Sequence, residues 1–201
     1  MAAHDFHLKN VGEFLLPRTL EQFDTLAKAG ELWVAEVDRE VVASCYVTRK
    51  DDEADAEFGG IIVRNDWKGT GLASAIGTVA LSAHFFHDPA PVIAHVHLDN
   101  QDPLPLLTQR LGFTKIDGEP AKLNKAEIEK QLGGPIGMRA DPDGFIRGHT
   151  FRFSLKCLET LADRLDSGKL AKVPVEVANI YFKRPSIAEM VTSLREQASK
   201  A

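Results

Sequence analysis

Cysteine is scarce in this 201-residue chain of 22.1 kDa: Cys45 and Cys157 stand alone and far apart. That argues against a disulfide framework and makes a reducing, cytoplasmic setting the expectation. No apolar leader follows Met1, and no apolar stretch reaches the roughly 18 residues that a membrane-crossing helix requires. No membrane partner is expected. Basic runs are missing too. With 29 acidic against 24 basic residues and a net charge of -5, nucleic acid has little electrostatic reason to bind, while a cationic substrate is mildly favoured. Internal repeats and low-complexity tracts are absent. The length suits one domain, or one domain with an extension, around a real core.

The informative stretch runs from Ala56 to His87, AEFGGIIVRNDWKGTGLASAIGTVALSAHFFH. It reads as a strand over Phe58 to Val63, a turn of polar and small residues over Asn65 to Gly71, and an amphipathic helix with Leu72, Ile76, Val79, Ala83 and Phe86 on its apolar side. A helix start leaves backbone N–H groups unpaired and carries a positive partial charge, so a turn with little side-chain bulk can hold a phosphate there. Lys68, Gly69, Thr70, Gly71, Leu72 and Ala73 form the candidate pyrophosphate cradle. Two familiar phosphate loops fit poorly. A P-loop needs Gly, four residues and then Gly-Lys-Ser/Thr, and no such run occurs. A dinucleotide fingerprint needs its first Gly directly after the strand, whereas Arg64 to Lys68 intervene and Ser74 stands where a third Gly or Ala belongs.

The run VRNDWKGTGLASAI resembles the acyl-coenzyme A signature of the GNAT N-acyltransferase family, in which Arg or Gln, two residues, Gly, one residue and then Gly or Ala open the central helix. Lys68, Gly71 and Ala73 occupy those positions, with Lys68 in place of Arg or Gln. Leu111-Gly112-Phe113 is similar to the family's Leu-Gly-Phe after the following helix, and the resemblance spans about Leu32 to Ile116. It implies acetyl-CoA or a related acyl-CoA as co-substrate, an amine-bearing acceptor and no metal.

The resemblance also suggests roles for single residues. Glu57, eleven residues before Lys68, has the spacing of the strand carboxylate that takes the acceptor's proton in some of these enzymes, and is the first choice for general base. An ammonium group must lose a proton before its nitrogen can attack a thioester, and a partly buried carboxylate can accept it directly or through water. The competing reading is an exposed strand-end glutamate continuing the acidic run Asp51-Asp52-Glu53-Ala54-Asp55, itself either a solvated hairpin tip or an attractor for a cationic amine. Backbone N–H groups near Ile61, Ile62 and Val63 are expected to polarise the thioester carbonyl. Asn100 stands where the family often carries an Asn that bonds the cofactor. Where the family commonly places a Tyr to protonate the departing thiolate, this chain has Thr108. The general acid is thus unassigned, with Tyr46 a substitute that geometry must support.

Before this centre, Phe6 to Lys9 is expected as a short strand and Thr19 to Lys28 as a helix ending at Gly30, with Leu20, Phe23, Leu26 and Ala27 on one side. That is short beside the two helices that help form the family's acceptor pocket. Leu32 to Val37 and Val41 to Thr48 form a hairpin. After the central helix, Val92 to Leu98 alternates, placing His95 and His97 on one face; the resemblance implies that this strand and the preceding one splay apart around the acyl group, which makes either histidine an alternative base. His95 with His97, or His84 with His87, could also ligate a metal, but neither pair brings a clear third ligand. Asp102-Pro103 reads as the start of a helix reaching Leu111.

Phe113 to Ile116 is a strand, with Gly148 to Ser154 as its antiparallel partner. Between them an insertion of about residues 117–147 holds a helix over Asn124 to Leu132 and a loop over Gly133 to Gly144, which either shapes substrate access or is a disordered excursion. Leu155 to Leu165 has helical spacing, Asp166 to Pro174 breaks it, and Ser186 with Glu189 opens a last helix carrying Ile187, Met190, Val191 and Leu194. Those apolar faces need a cover, either this chain's own sheet or a second copy in a homodimer.

The expected fold is α/β: a mixed, mostly antiparallel GNAT-like sheet with a central coenzyme-binding helix and added C-terminal helices. Residues 1–154 form the acyltransferase domain and 155–201 the helical extension. The expected function is N-acyl transfer to an amine of a small molecule or protein by direct attack. The alternative is a non-catalytic acyl-CoA-binding or partner-regulating module.

Overall fold

The strand-forming runs fold into β1 (Leu32–Val37), β2 (Glu40–Thr48), β3 (Ala56–Val63), β4 (Val92–His97), β5 (Phe113–Lys115), β6 (Ala121–Asn124), β7 (Phe145–Phe153) and β8 (Glu176–Asn179). The structure, a computed structural model, describes residues 2–49, 53–167, 176–179 and 185–200. One eight-stranded sheet results, in the order β5-β7-β4-β3-β2-β1-β8 with β6 also on β7. Among the described residues all pairings are antiparallel except β3 with β4. The helices are α1 (Ala2–Asn10), α2 (Leu20–Lys28), α3 (Leu72–His87), α4 (Lys125–Leu132), α5 (Leu158–Asp166) and α6 (Ile187–Ala198).

Period-two alternation sends the strands' side chains to two cores. Trp33, Ala43, Cys45, Phe58, Val92, Ala94 and Val96 pack against α3, α5 and α6, whose Leu161, Leu165, Met190 and Leu194 belong to the same cluster. Leu32, Val34, Val41, Tyr46 and Ile62 pack on the other side against Ala3 and Phe6 of α1 and Phe23, Leu26 and Ala27 of α2. Helix α3 is therefore buried nearly all round rather than amphipathic, from Leu72 through Phe85. Within the chain, α3, α5 and α6 bury Leu161, Leu165, Met190 and Leu194 against one another.

Several expectations change. Phe6 to Lys9 is helical, part of α1, because Ala3, Phe6 and His7 share one buried helix face. The chain thus has two helices before β1 after all. Helix α2 starts on a Thr19–Gln22 capping box, but Leu20 is half exposed, and so are Leu155 and Ile187 at the starts of the C-terminal helices. Asp102 does not cap the helix after β4: its own N–H is bonded by Asn100 Oδ1 at 3.3 Å, and the segment ends in a π-helical turn, Leu106–Leu111. Strand β8, beside β1, was not expected from the sequence. Asp51 and Asp52 of the acidic run, and most of the 166–174 break, lie outside the described residues.

The insertion is ordered. Asn124 caps α4 by accepting from Ala126 and Glu127 N–H groups, and Ile136, Met138 and Ile146 form a small third cluster with Leu16. Arg139 N–H donates to the Glu13 carbonyl at 3.0 Å, which ties this insertion to the α1–α2 loop.

Candidate active site

β3 and β4 pair only at Ala56↔Val92 and Glu57↔Ile93. Beyond that point the strands diverge, β4 pairing onward with β7, and a cleft of about 670 Å³ opens between them. Its walls are Phe58–Val63 of β3, Ala94–His97 of β4, the segment from Lys9 to Leu15, and Asn100 to Leu107 in part. Backbone groups of β3 that a neighbouring strand would have paired are left facing this space.

The β3 wall is irregular for a reason legible in its composition. Between the pairs Tyr46↔Gly59 and Ser44↔Ile62, β3 carries one residue more than β2, and Gly60 takes φ +61°, a bulge that only glycine adopts easily. The bulge reverses the alternation, so that Phe58 faces the α3 core while Ile62 faces the opposite one. Gly59-Gly60 inside a strand was the available signal for it.

At one end of the cleft lies the glycine turn. Gly69 and Gly71 have φ of +79° and +89°, with open space where a Cβ would be. Gly71 leads into α3 with no side-chain cap, so the first N–H groups of the helix remain available to an anion. Lys68 and Ala73 line the cleft. Leu72 contributes only backbone, since its side chain is buried in the core. Thr70 Oγ1 donates back to the Trp67 carbonyl at 2.7 Å, bracing the turn. These features fit a pyrophosphate. Ile61, Ile62, Val63 and Asn100 also line the cleft.

At the other end, where β3 and β4 still pair, is Glu57. Glu57 lies just before the lining residue Phe58 and accepts a hydrogen bond from Tyr46 Oη at 3.1 Å. Tyr46 Oη accepts from Arg18 Nη2 at 2.7 Å. Burial, followed by the Glu57 charge, pushes the phenol well above its usual range, with Arg18 acting against this. Tyr46 therefore stays protonated and its proton is engaged with Glu57.

His95 is exposed, with Nδ1 3.2 Å from Thr150 Oγ1. His97 has Nδ1 3.1 Å from the Asp99 N–H and Nε2 3.0 Å from the Arg139 carbonyl, which calls for the neutral tautomer protonated on Nε2 and occupies its lone pair. Thr108 Oγ1 donates to the Leu104 carbonyl at 2.8 Å and is not part of the cleft wall. Among the described residues no group of three or more His, Cys, Asp or Glu is arranged to hold a metal, and no helix is long and apolar enough to cross a membrane. Sequence reasoning missed the α1–α2 loop with Phe14, whose ring is 5.1 Å from that of His97, and Arg18. Nothing in their local pattern marks them.

A family model described as acetyltransferase (GNAT) family matches residues 4–113. Among solved structures, the ribosomal-protein-S18-alanine N-acetyltransferase from Escherichia coli is similar with a TM-score of 0.51 at 15% identity, covering 76% of this chain and 84% of that one. The ribosomal-protein-alanine N-acetyltransferase from Brucella melitensis gives 0.51 at 14% identity, covering 75% and 88%. Likeness at these identities is likeness of fold. No curated protein sequence matches the chain.

Proposed function

Because the chain belongs to the GNAT acetyltransferase family, we propose that it transfers an acetyl or other short acyl group from acyl-CoA to a primary amine, with Glu57 as general base. The observation that carries this reading is the splayed β3–β4 cleft, with an uncapped helix start at one end and a hydrogen-bonded carboxylate beside the other. Free N–H groups of α3 and the Gly69–Gly71 turn hold the pyrophosphate, and Asn100 supports the coenzyme arm.

Glu57, acting across one water, takes the proton from the bound ammonium. The freed nitrogen attacks the thioester carbonyl carbon, whose developing negative charge is met by backbone N–H groups at Ile61 to Val63. The C–N bond forms, the C–S bond breaks, the nitrogen gives up its second proton to solvent as the amide forms, and the thiolate leaves to be protonated by solvent, since a thiol is a good leaving group that needs no dedicated acid.

The test measures free-thiol release from acetyl-CoA with a panel of small-molecule and peptide amines, comparing the native chain with Glu57→Gln. Release that depends on an amine and falls in the variant supports the reading; full activity of the variant removes Glu57 as base. The Thr108 hydroxyl turned onto Leu104 favours a second reading, an acyl-CoA-binding module without turnover. Tight acetyl-CoA binding by calorimetry with no thiol release on any amine would select it.

A further inference from the structure

We infer that Arg18 is a positioning residue that acts on Glu57 through Tyr46, and so links the α1–α2 loop that lines the cleft to the general base; the inference rests on the role proposed for Glu57. The Arg18 guanidinium lies over the Tyr46 ring, 4.3 Å from its centroid, and Nη2 donates to Tyr46 Oη at 2.7 Å. Oη in turn donates to Glu57 Oε1 at 3.1 Å. A guanidinium can only donate, so the phenol oxygen must accept from it, and the single phenol proton is left for Glu57. Arg18 thereby sets the direction of the chain of hydrogen bonds.

The ring has little freedom to turn away. Tyr46 is 7% exposed, and its Oη sits 2.5 Å from where a Cβ on Gly59 would be. The two glycines at the β3 bulge make the space that the ring fills, so one local irregularity serves both the cleft wall and the relay.

Arg18 also closes the loop that leaves α1 at Asn10 and lines the cleft as far as Leu15. Its carbonyl lies 3.2 Å from His4 Nε2 of α1, and Thr19, the next residue, caps α2. A shift of the loop on acceptor binding would reach Arg18 and, through Tyr46, the carboxylate.

The experiment compares Arg18→Met, Tyr46→Phe, Glu57→Gln and the double variants with Glu57→Gln, using acetyl-CoA and the best amine of the panel. Calorimetric acetyl-CoA affinity reports folding and the donor side. Arg18→Met and Tyr46→Phe are each expected to lower kcat roughly tenfold, the scale of a lost hydrogen bond to a charged group, with acetyl-CoA affinity unchanged. Either change is expected to cost nothing further on the Glu57→Gln background, the signature of groups acting as one unit. Equal losses in both backgrounds would overturn the relay and leave Glu57 in place, and so would an unchanged kcat in Tyr46→Phe, which keeps the ring if Arg18→Met does not fold. Full activity of Glu57→Gln, or no turnover on any amine, would overturn the base assignment and the relay with it.

Discussion

The two faces of the sheet are built from different chemistry. Toward α3, α5 and α6 the packing is aliphatic and aromatic, a single cluster running from Trp33 to Leu194. Toward α1 and α2 the core is smaller and includes Tyr46, with Arg18 and Glu57 bonded to it and the buried His7 beside Phe23, ring centroids 4.9 Å apart. The contrast teaches how the proposed roles would divide. A donor held by backbone at a helix start asks only for a rigid, dry core beneath it, whereas a proton acceptor asks for polar side chains, and burying those is costly unless they are hydrogen-bonded.

Four changes would break or sharpen this contrast. Glu57→Gln, on the polar face, is expected to lower kcat on the order of a thousandfold while acetyl-CoA affinity holds; a parallel loss of affinity would mean the faces are not separable. Leu194→Ala, in α6 on the dry face, removes a fully buried side chain. It should lower unfolding free energy by about 3 kcal/mol, read as a shift in urea midpoint with kcat of the folded protein retained. A shift near zero would show that the C-terminal helix is not part of the core.

Gly71→Glu places bulk, negative charge and a disfavoured φ of +89° at the helix start. Coenzyme binding should weaken by about thirtyfold, the equivalent of roughly 2 kcal/mol, without a matching loss of folding. Equal affinity in titration calorimetry would move the pyrophosphate elsewhere.

The smallest effect concerns His7. Both its ring nitrogens are buried, with no well-formed hydrogen bond, and burial, opposed in part by the backbone of Leu16, lowers its pKa from 6.5 to about 4. The folded chain thus refuses a proton that the unfolded chain accepts. The stability associated with neutral His7 is full above about pH 6.5, declines as pH falls toward about 4, and loses nothing further below that. His7→Leu should flatten this part of the urea-midpoint profile relative to the native chain; identical slopes would discard the idea.

The strand, glycine turn and helix around Gly71 were legible in the residues because their determinants are local. A strand, a small-residue turn and an apolar helix follow one another in a single stretch, and the positive-φ glycines stand within it. The same holds for the capping box at Ser186, where side chain and backbone lie three residues apart. Phe6 to Lys9 was misread because a short apolar–polar alternation suits either a strand or one helix turn, and only the surface beneath it decides. The helix after β4 was expected to begin at a capping Asp102, but Asp102 instead donates its own N–H to Asn100 Oδ1.

Sequence by itself determined the α/β class, the glycine turn opening α3, and the presence of a carboxylate at position 57, since each depends on neighbours along the chain. Tertiary structure alone decided that β3 and β4 part after Glu57, that Arg18 reaches Tyr46 across 28 residues, and that residues 133–144 bind the α1–α2 loop. Such contacts join segments with no local signature, and their energies come from burial and partner geometry that exist only once the sheet has formed.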